Sequence, residues 1–519
     1  MKKGHNRVTF KPYTMGQPSL LPASLDELVP KEHLVRVVNQ TIEELNIEPL
    51  LKRYKGGGTS SFHPKMMLKV MVYAYTQKTF TSRKIAKALR ENIQFMWISG
   101  GNKPDFRTIN RFRGSVMKEV VGEVFTSVIE YLVEKRYVKL ENYFADGTKI
   151  ESSANKYQWV WAKSTTNYKK QLQEKIKGLL EEIDCENEKE EEEYGDDDLE
   201  EMGGGNDDID GKQLKEVIEK LNQRLKEKPE DKKLAKAIKT LEKDYLPREE
   251  KYEEQEKILA GRKSYAKTDP DATFMRMKED HMRNGQLKPG YNVQMGTENQ
   301  FIVGFSIHQR PGDTACLIPH LEEVKQQIDT LPQRIIADAG YGSEENYNYL
   351  EKEKLENYVK FNLFHKEQKR SWRKQRFRVE NWKYEKECDE YICPENQKLS
   401  FLQEFNKKTE MGSLSKIREY ECHNCGECPI KSECTRAAGN RRVQVNFRLN
   451  QYRDQARTNL LSDQGRKLSI QRNVDVESVF GQLKHNWGFR RFLLKGKEKV
   501  RTEWGLLCIA HNIAKLAVQ

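Results

Sequence analysis

A run of apolar residues long enough to cross a bilayer is missing from the 519-residue sequence. A membrane span needs about 20 such residues, and the longest stretches, such as residues 66–75, are interrupted by lysine. Residues 1–10 carry no apolar run either, so no secretory signal is expected. Cysteine is scarce outside one region: of nine cysteines, six lie between Cys388 and Cys434. Together these features predict a cytoplasmic protein, in which scattered disulfides are not expected and a thiol cluster reads as a metal site. Acidic residues are also in deficit, with 79 Asp and Glu against 91 Lys and Arg, a net charge of +12. Much of the negative charge is concentrated in residues 186–210, so the remaining surface is more basic than the total implies. That balance fits a polyanionic partner, and it also fits plain solubility. The length allows about three to four units and a sizeable core.

Residues 1–135 read as an N-terminal helical domain. Apolar residues recur at helical spacing over 25–46 and 64–77. Thr81 and Asp105 are placed to cap two further helices. Arg83, Lys84, Lys87, Arg107, Arg111 and Arg113 lie on these short helices, a pattern that suits helix-turn-helix contact with DNA. An ordinary bundle with a solvated basic face is the alternative.

Residues 143–150 read as a short strand ending in Asp146-Gly147-Thr148. A helical insertion over 166–262 follows, separating a first core segment, 136–165, from a second, 263–364. Its stripes, Leu172/Ile176/Leu179/Ile183, Leu214/Ile218/Leu221/Leu225 and Leu234/Ile238/Leu241/Tyr245, have coiled-coil-type spacing. Residues 186–210 are too acidic and glycine-rich to bury a core and read as a disordered loop. Strand patterns resume at 291–297, 301–308, 334–338 and 358–363, with a helix expected over 316–330. A basic and cysteine-rich insertion occupies 365–465. A late helix over 469–487 and a closing helix over 501–516 complete the core from 466 to 519. The alternation of strands and helices gives an α/β layered sheet.

Three acids stand out. Asp146 and Asp338 end apolar strands, and strand carboxyl ends are where open α/β sheets bind ligands. Asp-Gly is also a common turn dipeptide. Glu477 borders the apolar stripe Val476, Phe480, Leu483 and Trp487, with Lys484 two turns further on.

The surrounding residues decide between these readings. Residues 146–151, Asp-Gly-Thr-Lys-Ile-Glu, resemble the first catalytic motif of bacterial insertion-sequence transposases of the DDE type. Ala337-Asp338-Ala339-Gly340-Tyr341 resembles the second, and Val476-Glu477-Ser478-Val479-Phe480-Gly481 with Lys484 resembles the third. Residues 268–273 and 288–294 match as well, and the resemblance, closest to insertion-sequence family 1182, runs from Gln17 to the last helix. One departure is that the wider group places an arginine four residues before the glutamate. Here Asn473 holds that place and Arg472 precedes it.

The resemblance implies a ribonuclease-H-like mixed sheet core. Asp146, Asp338 and Glu477 would hold two Mg²⁺ ions, replaceable by Mn²⁺, with Lys484 and Arg472 as phosphate anchors. It implies a nucleoid-associated protein, acting as a homodimer on double-stranded DNA, that binds terminal inverted repeats, cleaves strands and joins them to a target. A nuclease of the same fold without strand transfer, and a non-catalytic DNA-binding regulator, are the alternatives.

Cys422-x2-Cys425-x2-Cys428-x5-Cys434 has the density of a closed Zn²⁺ site, with Cys393 an alternative ligand and Cys388 further upstream. Between sheet and thiols, Lys366, Lys369, Arg370, Arg373, Lys374, Arg376 and Arg378 interleave with Trp372, Phe377 and Trp382. This suits a DNA backbone and an unstacked base. The DNA contacts expected from sequence are therefore Lys84, Arg107 and Arg111, and Lys369, Arg370, Arg373 and Arg376.

Overall fold

The computed structural model describes residues 24–54, 61–194, 208–277, 286–409 and 411–518. Its centre is a six-stranded sheet made of β1 (Asn142–Glu151), β2 (Thr273–Arg276), β3 (Leu287–Glu298), β4 (Phe301–His308), β5 (Arg334–Ala337) and β6 (Glu356–Val359). β1 pairs antiparallel with β3, and β3 with β4 and β2. On its other edge β1 pairs parallel with β5, and β5 parallel with β6. Apolar residues fill both faces of the middle strands, because helices cover both.

One covering layer holds the helix Leu317–Ile328. The opposite layer holds the helices Asp463–Gly481 and Lys497–Leu516. Lys497–Leu516 is buried along most of its length and packs on the helices Pro64–Thr76 and Met117–Glu134. The N-terminal helices therefore share one hydrophobic core with the sheet. Thr81 accepts from the Lys84 backbone N at 3.4 Å and Asp105 from Thr108 N at 2.7 Å, so both cap the helices that their positions predict.

The two insertions have cores of their own. Helices Ala162–Tyr194, Gly211–Glu227 and Lys232–Thr240 bury Leu172, Ile176, Leu180, Leu214, Leu221 and Ile238 against one another. In the first stripe Leu180 is the fully buried residue and Leu179 only partly so, a shift of one position from the expected spacing. The expected acidic loop falls largely outside the described residues; up to Tyr194 the backbone continues the preceding helix. Residues 383–445 form a five-stranded antiparallel sheet of β7 (Lys383–Glu385), β8 (Glu390–Ile392), β9 (Lys398–Lys408), β10 (Leu414–Cys422) and β11 (Arg442–Val445), which the sequence pattern did not predict.

The position of β1 depends on a close approach behind it. Gly296 and Gly304 face each other across β3 and β4, and the Tyr143 ring lies over both. A Cβ on Gly296 would sit 1.7 Å from Tyr143 Cζ. The Tyr143 hydroxyl is 2.7 Å from His320 Nε2 on the covering helix. Tyr143 and Asp146 are an odd number of residues apart, so one anchors the back of the strand while the other faces front. Gly296→Ala is expected to lower stability by about 1–3 kcal/mol, the usual cost of overpacking a core. Chemical denaturation measures it, and an unchanged midpoint would mean that the ring has room to move.

Candidate active site

Register brings Asp146 and Asp338 together, although Asp146 lies inside β1, which continues to Glu151, and not at a strand end as its sequence suggests. Phe144 pairs with Ile336 and Ala145 with Ala337, so Asp146 and Asp338 are the next residues on adjacent parallel strands. β6 extends the row. Ala337 pairs with Val359, and the Lys360 backbone N donates to Ala337 O at 3.2 Å. Asp146, Asp338 and Lys360 thus stand side by side across three strands, each one residue past a buried apolar segment.

The helix Asp463–Gly481 crosses the front of this row. Its apolar side, Val476, Val479 and Phe480, is buried, which leaves Glu477 at the rim with 55 % of its side chain exposed. Arg472 joins helix to strand. Its Nη2 lies 3.3 Å from Asp146 Oδ2 and its Nη1 3.3 Å from Glu477 Oε1. The departure from the expected spacing does not cost this contact. Arg472 is buried on the inner face and bridges both acids, whereas Asn473 is exposed. Lys484 lies in the turn Gln482–Asn486, and its Nζ donates to Thr148 Oγ1 at 3.1 Å, tying the helix end to β1 two residues after Asp146.

Behind the row is a network that the sequence did not disclose. Asp313 Oδ1 accepts from Asn292 Nδ2 at 2.7 Å and Gln294 Nε2 at 3.0 Å. The missing side chain of Gly147 makes room for it, since a Cβ there would lie 2.6 Å from Asp313 Oδ1. Tyr341, fully buried, donates to Gln294 Oε1. Burial holds its phenol well above the usual range, reinforced by the carboxylates of Asp313, Asp146 and Asp338.

These residues suit a hard divalent cation. All the candidate ligands are carboxylate oxygens, and positive charge from Arg472 already lies between Asp146 and Glu477. Among the described residues, the group of three or more possible ligands drawn within 4.8 Å is instead Glu385, Cys388 and Glu390, on the cysteine-rich unit. Asp146, Asp338 and Glu477 are not drawn together that closely.

Cys393, Cys422, Cys425, Cys428 and Cys434 line one small cavity in the cysteine-rich unit. Burial pushes the Cys422 thiol up to about 12, helped by its hydrogen bond with Cys425. Cys388 is exposed and outside this cavity. The basic segment preceding the unit is less open to bases than its composition implies. Trp372 is buried, with the Arg378 guanidinium 3.7 Å from its ring centroid, and Trp382 Nε1 is held by Arg376 O at 2.7 Å. Lys369, Arg370, Arg373 and Arg376 remain exposed, with Arg376 paired to Glu433 at 3.2 Å. Trp159 and Trp161 pack on Phe274.

Burial holds the Lys360 amine below its usual value, as does Arg472 nearby; Asp338 and Glu477 pull the other way. A lysine whose titration is depressed by folding destabilises the fold while it is charged, and the penalty fades as pH rises through its titration. Lys360→Met is therefore expected to melt no lower than wild type at pH 7, with the difference narrowing toward pH 10. A melting-temperature series over pH checks this. A lower melting point at neutral pH would mean that attraction to the acids outweighs burial.

Two family models match the chain: Transposase DDE domain over residues 392–517 and Transposase domain (DUF772) over residues 23–115. Glu477, Arg472, Lys484 and the five clustered thiols lie in the first match, while Asp146 and Asp338 lie outside both. No curated protein and no solved structure matches the chain. No helix among the described residues is long and apolar enough to cross a membrane. The two matched domains, both of transposases, support an insertion-sequence transposase of the DDE type.

Proposed function

We propose that the chain is a DNA transposase of insertion-sequence family 1182 that binds the terminal inverted repeats of its element as a homodimer and performs strand cleavage and strand transfer. The observation that carries this reading is the register that sets Asp146 beside Asp338 on adjacent parallel strands, with Glu477 joined to Asp146 through Arg472. The sheet order, four antiparallel strands (β2 and β4 pairing with β3, and β3 with β1) followed by two parallel ones, favours a ribonuclease-H-like core.

In this reading Asp146, Asp338 and Glu477 hold two Mg²⁺ ions. Bound there, such ions activate an attacking oxygen and stabilise a leaving one. The chain's own groups supply the rest. Arg472 balances the carboxylates and orients a phosphate; its fork matches phosphate oxygens in pairs. Lys484 positions the glutamate helix by pinning it to Thr148. Lys360 adds a cation at the same edge, facing the phosphate from the side of Asp338. No nucleophilic side chain is required, because water and then a DNA 3′-hydroxyl attack.

Alanine at Asp146, Asp338 or Glu477 is expected to abolish Mg²⁺-dependent cleavage of terminal-repeat DNA while duplex binding stays within severalfold of wild type. Because thiolates prefer softer cations, Asp146→Cys should regain partial activity with Mn²⁺. Gel assays with labelled ends and a plasmid target measure both steps. Cleaved ends without joined products would favour the nuclease alternative, and full Mg²⁺ activity in Asp338→Ala would place the chemistry elsewhere.

The cysteine-rich unit is proposed to bind one structural Zn²⁺, through Cys422, Cys425, Cys428 and Cys434 or with Cys393 replacing one of them. All five thiols line one small cavity, which supports it. Thiols must lose protons to ligate, so zinc should be retained at neutral pH and released on acidification. Elemental analysis of protein purified without oxygen should give about one zinc per chain, and Cys425→Ser should lose it. Zinc-free wild-type protein would remove the proposal.

A further inference from the structure

A cleft of about 650 Å³ lies between the N-terminal helices and the last helix. It is lined by Arg83 on the helix Ser82–Glu91, Arg107 and Arg111 on Phe106–Arg111, and Lys499 on Lys497–Leu516. Four cations and no carboxylate line it. All four are exposed, and among the described residues none of them pairs with an acid. Such an unpaired cluster is held together against its own repulsion only by the fold, and it attracts a polyanion.

The cations are also arranged. The exposed ring of Phe106 carries the Arg83 guanidinium 5.2 Å and the Arg107 guanidinium 5.7 Å from its centroid. Stacking on one ring restrains two long side chains, so less freedom is lost when they grip a ligand. Asn110 adds an uncharged hydrogen-bonding group of the kind that contacts DNA phosphates. Apart from Phe106, already covered by guanidinium groups, the lining offers no apolar pocket to anchor a protein partner. The cleft is also connected through packed residues to the strand that carries Asp146. β1 ends at Glu151, whose N donates to Arg490 O at 3.2 Å, and the neighbouring Phe489 packs edge-on against Phe80 at 5.2 Å. Phe80 immediately precedes the cleft residues Thr81 and Ser82.

We propose that this cleft is a clamp for the phosphate backbone of duplex DNA, built jointly by the two ends of the chain, with Arg83 and Lys499 as its opposing jaws. The inference rests on the transposase reading and names where the duplex is gripped. The sequence pattern grouped Arg83 with Lys84 and carried only Lys84 into the expected DNA contacts; of the two, Arg83 lines the cleft and Lys84 does not.

The test is fluorescence anisotropy of the full-length protein with a labelled terminal-repeat duplex and an unrelated duplex, each over a KCl series. Arg83→Gln/Lys499→Gln should weaken binding to both duplexes. It should also reduce the magnitude of the slope of log affinity against log salt by about two, one for each phosphate no longer neutralised. Lys232→Gln/Lys239→Gln, a charge-matched pair on the helical insertion, should leave the slope within about half a unit of wild type. Both substituted pairs are solvent-exposed, so melting temperatures should match wild type and exclude misfolding. An unchanged slope in the Arg83/Lys499 variant, or an equal loss in the insertion variant, overturns the clamp while leaving the transposase reading intact. A wild-type protein that binds neither duplex overturns that reading itself.

Discussion

Like charges gathered at the end of a sheet repel one another, and here the repulsion is met by positive charge threaded between them. Arg472 contacts Asp146 and Glu477 from within the helix–strand interface, and Lys360 enters the row from the neighbouring strand. Burying a guanidinium is costly unless it is paired, and Arg472 leaves its Nε without a hydrogen-bond partner. The same group contacts both Asp146 and Glu477 and so ties the glutamate helix to β1.

The long intervals between the three acids follow from how the core is insulated. The helical insertion and the cysteine-rich sheet bury their own apolar clusters, separate from that of the central sheet. Each can therefore enlarge the chain without altering the register that aligns Asp146 with Asp338. The N-terminal helices differ, since they share the main core and pack against the last helix. Their position is coupled to the sheet, and surface groups such as Arg83 keep a fixed relation to Lys499.

Legibility tracked burial. Strands such as Phe301–His308 and Arg334–Ala337 were readable because they are buried along most of their length and carry runs of apolar residues. Thr81 and Asp105 were readable because capping depends on local chemistry alone. The strands at 383–445 were not, because β9 is largely exposed and β10 buries the polar Ser415 and Glu419 beside Tyr420, so neither shows a clear apolar alternation. The first stripe of the insertion slipped from Leu179 to Leu180 because adjacent leucines leave the helical phase open until a partner helix selects one. Lys360 and Asp313 were missed for another reason. Nothing in a lone lysine after a strand, or a lone aspartate in a loop, shows which strand will lie alongside, and only the pairing of β5 with β6 and the gap at Gly147 bring them to the site.

β1 joins these features mechanically. At its start, Tyr143 is wedged over Gly296 and Gly304 and tied to His320. In its middle are Asp146, Gly147, which admits the Asp313 network, and Thr148, which receives Lys484. Its far end meets Arg490 and Arg491, beyond which Phe489 packs on the residue that precedes the basic cleft. A strand held from behind by a buried ring cannot easily slide along its neighbours, since a shift of one residue would turn every side chain to the other face. The fixed point behind the sheet is therefore what gives the acids, the bridging arginine and the basic cleft a common frame.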